Sequence, residues 1–345
     1  MNFASDNITG AAPEIINAIV TANEGTQLGY GNDELTHAVQ NRICEIFETD
    51  AEAFLVSTGT AANALALSVM TPSHGAVLCH WTSHVYEDEC GAPELFSGGA
   101  RLIPVDGTQG KLDTKDLVKK ASHGKGDVHM LQPSAATVTQ VSEMGTIYSL
   151  DELGAIAEVC HEYDLTMHMD GARFANALVA LGCTPAEMSW KAGVDILSFG
   201  ATKNGALGVE AVVIFNPELA KTFAFKRKRT GHLFSKMRLL SAQMAAYLDN
   251  NLWLTNARHA NKMASALYAG LSKLQKIEFP YSVDANMLFP IFPTELTNAL
   301  HADGFKFYDN RWGPEICRLV TAFNTEHEDI NAFIEAARRH VINTA

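Results

Sequence analysis

Basic residues are scarce in this sequence of 345 residues: 26 lysines and arginines stand against 39 aspartates and glutamates, a formal net charge of -13. That balance excludes a general phosphate-backbone binder, which needs a basic face to displace counterions. Cysteine is scarce too. Cys44, Cys79, Cys90, Cys160, Cys183 and Cys317 are scattered with no Cys-x-x-Cys pair, so they read as reduced, mostly buried thiols. No uninterrupted apolar run reaches the ~18 residues that a membrane span needs. The opening Met-Asn-Phe-Ala-Ser-Asp lacks the basic stretch and apolar core of a secretory signal, and a cytoplasmic chain is expected. His80, His129, His161, His168, His232 and His259 have no zinc-site spacing, so no metal is expected. Repeats, low-complexity tracts and long linkers are missing as well.

What remains is ordinary globular material, 47% hydrophobic and 19% charged. The length exceeds what one core usually holds, which implies a large domain and a smaller one. Short apolar runs alternate with helical stretches. The strand candidates are 53–57, 76–80, 101–105, 127–132, 165–170, 195–199 and 211–215. Several are apolar on both faces, as strands covered by helices on both sides tend to be. Ser149 and Glu152 have the spacing of a capping box ahead of a helix over 153–163. Asn216-Pro217 supplies an N-cap and a first-turn proline before a helix over 218–229. The alternation predicts an α/β fold with a mostly parallel, seven-stranded sheet. After a helical region near 234–274 the pattern changes to that of a small α+β unit. The expected division is 1–248 for the large domain, with its N-terminal segment serving the active site, and 249–345 for the small one.

Three stretches carry chemistry at strand ends. Ser57-Thr58-Gly59-Thr60-Ala61 follows a strand and opens a helix. It is either a plain turn or a phosphate cradle, in which small residues bring backbone N–H groups to an anion at a helix N-terminus. Asp170 closes a buried strand in Met167-His168-Met169-Asp170-Gly171-Ala172-Arg173. A carboxylate there needs a partner, which is the next helix, Arg173, or a pyridinium N–H. Lys203 follows another strand end in Ser198-Phe199-Gly200-Ala201-Thr202-Lys203-Asn204-Gly205. It is either a solvated loop lysine or a partly buried Schiff-base former.

Taken together, these stretches resemble the aspartate-aminotransferase-like (fold type I) enzymes that use pyridoxal 5′-phosphate (PLP). Within them the chain is most similar to the threonine aldolase and β-eliminating lyase group. The resemblance runs from Ser5-Asp6-Asn7-Ile8-Thr9 and Gly29-Tyr30-Gly31-Asn32-Asp33 through His84, Asp170-Gly171-Ala172-Arg173 and Thr202-Lys203 to Arg318. Its Ala201-Thr202-Lys203-Asn204-Gly205 and Arg229-Thr230-Gly231-His232 stretches look closest to the low-specificity L-threonine aldolases that also cleave phenylserine.

The resemblance implies a Schiff base between PLP and Lys203, with Asp170 on the pyridine nitrogen and His84 stacked on the ring near the substrate's β-hydroxyl. Gly59, Thr60 and Thr202 would hold the phosphate, joined by Arg227. Ser5, Arg173 and Arg318 would bind the substrate carboxylate. It also implies retro-aldol cleavage of a small β-hydroxy-α-amino acid to glycine and an aldehyde, in a homodimer at least and commonly a tetramer. The chain departs from the family at Gln140-Val141-Ser142-Glu143-Met144-Gly145, where many threonine aldolases have Glu-Asn-Thr-His-Asn-Gly. Glu143 thus stands where a histidine is expected, and the β-hydroxyl base is left open among His84, Glu143 and a phosphate-bound water. Tyr30 and Asp33 read as parts of a Gly-rich turn, and Lys226, Lys228 and Arg229 as a solvated helix end. A different PLP-dependent lyase reaction, or a retired PLP fold used for binding, are the rival expectations. The second should lack Lys203 or Asp170, and both are present.

Overall fold

A computed structural model describes residues 1–343. Seven strands, β1 (Glu52–Val56), β2 (Gly75–His80), β3 (Arg101–Val105), β4 (Gln132–Thr139), β5 (Thr166–Gly171), β6 (Ile196–Gly200) and β7 (Glu210–Ile214), form one sheet in the order β1-β7-β6-β5-β4-β2-β3. Only β7 runs against the rest, antiparallel to both β1 and β6. The expected α/β fold and mostly parallel seven-stranded sheet are therefore found.

Side chains alternate across the sheet, and both faces are apolar. Leu55, Leu78, Met167, Met169, Leu197, Phe199, Ala211 and Val213 enter one core cluster; Val56, Val77, Cys79, Ile196, Val212 and Ile214 enter another on the opposite face. The second face is covered by helices Gly59–Met70 and Pro217–Arg229. The first is covered by helices that include Glu34–Phe47, Phe174–Leu181 and Arg238–Leu248. Both helix starts read from the sequence are present. Ser149 and Glu152 form a reciprocal capping box, and Asn216 caps a helix with Pro217 at its first position.

One strand needs correction. The run 127–132 was expected as a strand, but the chain turns there, with Gly124 and Gly126 at positive φ and the Asp127 carboxylate accepting from the His129 N–H. The strand is the polar-looking Gln132-Pro133-Ser134-Ala135-Ala136-Thr137-Val138-Thr139. Its small residues suit a strand packed on both faces. Pro133 sits at its start, beside a register shift against β2, where a missing donor is tolerated.

A second core gathers Phe3 with Met263, Leu267, Leu271, Phe292, Leu300, Leu319 and Phe333. It packs under a small sheet, β8 (Met287–Leu288), β9 (Tyr308–Asp309) and β10 (Cys317–Val320), in the order β8-β10-β9. Helix Leu252–Leu271 serves both cores, with Trp253 and Ala257 in the first and Met263 and Leu267 in the second. We retain residues 249–345 as a proposed small domain, one that borrows Phe3 from the other end of the chain. That segment is sewn in by backbone bonds: the Phe3 N–H donates to Lys306 O at 2.7 Å, and the Val320 N–H to Phe3 O at 2.8 Å.

Candidate active site

The carboxyl ends of β1, β2, β4, β5 and β6 share one edge of the sheet. Because β7 is reversed, its first residue, Glu210, reaches the same edge, opposite Gly200 and Val56. A cavity of about 260 Å³ opens there, lined by Thr58, Gly59, Thr60, His84, Asp170, Thr202 and Lys203 together with Asn63, Glu89 and Glu210. The three strand-end stretches therefore converge, along with His84.

Each wall has a local cause. Thr58 caps helix Gly59–Met70, its hydroxyl accepting from the Ala61 N–H, so the first N–H groups of the helix face the cavity. Apart from Gly59's own chain neighbours and helix backbone, no atom lies within 4 Å of where its Cβ would sit, which leaves the backbone open to an anion. Asp170 is buried; one oxygen accepts from the Ala172 N–H at 3.0 Å and the other from Asn63 Nδ2 at 2.9 Å. It does not pair with Arg173. Lys203 lies in a short 3₁₀ turn, Thr202–Asn204, which Asn204 anchors by donating to Tyr247 Oη and Trp253 O, both at 2.8 Å. Its ammonium makes no hydrogen bond or ion pair with a described residue. A Cβ on Gly200 would collide with the backbone of Ala172, so the β6 end is held tight against the turn after Asp170.

Sequence reasoning assigned no role to four further residues, three in the wall (Asn63, Glu89 and Glu210) and one, Asp6, beside it. Asn63 donates to both Asp170 and Glu89. Glu89 is buried and lies 2.9 Å from His84 Nδ1. Burial raises the pKa of Glu89, an effect its bonds to His84 and Asn63 only partly offset. Burial would by itself depress the His84 pKa, but Glu89, Asp170 and Glu143 together hold it above the ordinary imidazole value. Asp6 forms a two-point ion pair with Arg173, at 2.7 Å to Nε and 2.8 Å to Nη2, with both residues buried. Glu210 accepts from the Ala201 N–H at 2.7 Å. Its place at the head of the apolar run Ala211-Val212-Val213-Ile214 was the one legible signal among the four.

Burial pushes the Glu210 carboxyl up to about 7, although Thr202, Ala201 and Lys203 pull the other way. The folded chain therefore binds this proton more tightly than the unfolded one. Stability falls as pH rises from about 4.5 to about 7, and the full cost, on the order of 3 kcal/mol, is present above that window. Glu210→Gln should keep the bond to Ala201 and remove the charge. Thermal melts of the apoprotein should show the variant more stable than the parent at pH 8 but not at pH 4.5. Equal differences at the two pH values would contradict this linkage.

The remaining expected residues stand apart from the cavity lining. Ser5 caps the turn Asp6–Ile8, its hydroxyl accepting from the Asn7 N–H. Arg318, on β10, lies over Trp312 and Tyr308, with Nη2 donating to Ala4 O at 3.1 Å and Nε buried without a partner. Burial, helped by the nearby Arg173 charge, lowers its pKa to about 10, so it stays cationic at neutral pH. Glu143, Asp6, Arg173 and Arg318 lie close enough to affect one another's charge. Arg173 was expected at the substrate carboxylate, yet two of its donors are committed to Asp6. Arg227 was expected at the phosphate; it lies over Phe54 and donates to Leu55 O, outside the lining. Asp33 is a helix N-cap rather than a loose turn residue. Among the described residues no cluster of His, Cys, Asp or Glu could hold a metal ion.

The fit to PLP is chemical. An open helix N-terminus suits a phosphate, the buried Asp170 suits a pyridinium, and an unpaired lysine suits an aldehyde, all within one cavity. This fold and site define the class of fold type I, PLP-dependent enzymes. Residues 2–292 match the model of the family described as Beta-eliminating lyase, and the chain belongs to that family. A low specificity L-threonine aldolase of Pseudomonas sp. (strain NCIMB 10558) is 44% identical over 324 residues, 94% of this chain and 93% of that one. The enzyme of the same name from Escherichia coli (strain K12) is 26% identical over 84% of each chain. Among solved structures, a Leishmania major threonine aldolase is similar with a TM-score of 0.92, 31% identity and 99% coverage of both chains. A Sphingomonas wittichii serine palmitoyltransferase shares the fold at a TM-score of 0.74 and 16% identity, covering 100% of this chain and 88% of that one.

Proposed function

We propose that this chain is a PLP-dependent aldehyde lyase that cleaves L-threonine, L-allo-threonine and related β-hydroxy-α-amino acids, phenylserine among them, to glycine and an aldehyde. The observation that carries it is the meeting of Lys203, Asp170, His84 and the open Thr58–Thr60 helix start in one cavity, in a chain 44% identical to a low specificity L-threonine aldolase. When bound, PLP supplies the electron sink for the pair released at the substrate Cα.

In this reading Lys203 would hold the cofactor covalently through its side-chain amine. Asp170, fixed by Asn63 and the Ala172 N–H, keeps the pyridine nitrogen protonated. Gly59, Thr60 and the Thr202 hydroxyl hold the phosphate, and Arg227 braces the wall behind β1. Arg318 and Ser5 receive the substrate carboxylate at the inner end, and Arg173 shapes that end through Asp6. A guanidinium gives two-point recognition of a carboxylate. Fixing the carboxylate fixes which bond at Cα is aligned for cleavage. His84 accepts the β-hydroxyl proton, with Glu143 lending negative charge nearby.

We further propose a cytoplasmic homo-oligomer, a dimer at least and a tetramer by family analogy. An apolar groove between helices Pro13–Ala22, Glu34–Phe47 and Arg238–Leu248, beside the exposed Ile16 and Val20, supports association. No helix among the described residues is long and apolar enough to cross a membrane. The test is aldehyde release by the PLP-loaded protein with L-threonine, L-allo-threonine and L-phenylserine. Aldehyde in step with glycine is the expected result. Ammonia and a 2-oxo acid (2-oxobutyrate from threonine, phenylpyruvate from phenylserine) without aldehyde would move the chain to a β-elimination reaction instead.

A further inference from the structure

The cavity contains a carboxylate that the cleavage as described does not use. Glu89 sits five residues beyond His84, and its side chain is fully buried. One oxygen, Oε1, is the focus of two contacts, 2.9 Å from His84 Nδ1 and 2.9 Å from Asn63 Nδ2. The same amide nitrogen of Asn63 reaches Asp170 Oδ2, also at 2.9 Å. The result is a continuous line, His84–Glu89–Asn63–Asp170, from one end of the cavity to the other. Its second oxygen, Oε2, is buried with no partner, so a proton placed there would have no acceptor.

We infer that Glu89 is the positioning residue of this site: its carboxylate accepts a hydrogen bond from the Nδ1–H of His84, which keeps that proton on Nδ1 and leaves Nε2 as the proton-accepting nitrogen. An ionised Glu89 carboxylate can only accept, so His84 Nδ1, 2.9 Å from Oε1, is the donor. In a neutral imidazole the lone pair then lies on Nε2. His84 Nε2 makes no hydrogen bond with a described residue, and His84 lines the cavity. This inference rests on the reading of His84 as the β-hydroxyl base, and it adds what sets that base's tautomer and strength. It also links the base to the ring-nitrogen end. Asn63 presents its two N–H groups to two carboxylates, so Glu89 and Asp170 hold one another's partner in place.

The charges that face His84 are Glu89, Asp170 and Glu143, which favour its imidazolium, and Lys203, which opposes it. Removing the Glu89 charge therefore lowers the pH at which His84 loses its proton. Glu89→Gln keeps an acceptor for both His84 and Asn63 while removing that charge. Glu89→Leu removes the acceptor as well.

The experiment combines pH profiles of kcat/KM with ¹⁵N NMR of histidine-labelled apoprotein, the His84 signals assigned from their loss in His84→Gln. In the parent apoprotein the expected form of His84 is the tautomer protonated on Nδ1. In Glu89→Gln the His84 titration and the acidic limb of kcat/KM should both move to lower pH by about one unit, with kcat reduced only a few-fold. In Glu89→Leu the Nδ1 preference should disappear and kcat should fall on the order of a hundredfold. A parent His84 protonated on Nε2, or a Glu89→Gln titration identical to the parent's, would overturn the inference. If His84→Gln retained full turnover, the base assignment would fall instead. The apoprotein NMR would still decide whether Glu89 sets the His84 tautomer.

Discussion

Lys203→Ala is expected to abolish turnover and the visible absorption of a lysine-bound cofactor, while leaving the fold intact. The side chain makes no hydrogen bond or ion pair that truncation would break. Its turn is secured by neighbours: Asn204 donates to Tyr247 and Trp253, and Asn256 Nδ2 donates to Asn204 O at 2.9 Å. Removing an ammonium from beside Glu210 and Asp6 costs some electrostatic support, since both carboxylates are held down in part by its charge. That loss is diffuse and should move the melting temperature by only a few degrees, on the order of 1 kcal/mol. The lost amine has no substitute in the cavity. Turnover measured with saturating PLP, a spectrum of the loaded protein and a thermal melt separate the two effects. Normal turnover by the variant would sink the assignment of Lys203.

The second large effect is expected at Arg318. Arg318→Ala should raise KM for the amino acid by about 10- to 100-fold, with a smaller change in kcat, because a charge-assisted hydrogen bond is worth about 1.5–3 kcal/mol. The geometry favours this arginine over Arg173. Arg173 spends Nε and Nη2 on Asp6, whereas among the described residues Arg318 Nε is buried without a partner and its guanidinium makes a single hydrogen bond, to Ala4 O. Its guanidinium plane is set by Trp312 and Tyr308, at 4.7 and 5.1 Å from the ring centroids. Arg318→Lys should recover little of the lost affinity, since an ammonium cannot reproduce a planar fork. An unchanged KM in Arg318→Ala would remove this residue from the carboxylate site.

The architecture was largely readable because its signals are local. Apolar runs, a capping box and an Asn-Pro helix start all depend on neighbours within a few residues. β4 escaped because Gln132-Pro133-Ser134-Ala135-Ala136 looks like a turn to any reading of propensity; only the layers on both sides make small residues suitable there. In the site, the residues at strand ends were legible because strand, turn and helix succeed one another in the sequence. Their partners were not. Asp6 finds Arg173 across 167 positions and Asn63 finds Asp170 across 107, separations over which spacing carries no information. Arg173 therefore read as a free guanidinium, and Glu89 did not read as part of the site at all.

Residues 2–6 tie the two cores together. Phe3 has its core, and Ala4 its arginine, only once the chain around Arg318 has been made, some 314 positions later. The same segment carries Asp6, which accepts from Arg173 and from Asn286 Nδ2, and a guanidinium buried without its counterion is costly. Residues 2–6 thus join the surroundings of Arg173 to those of Arg318. Truncation of residues 2–6 would therefore expose Phe3's place in the second core and leave Arg318 without its bond to Ala4, a lesion of the fold and of the arginine at once.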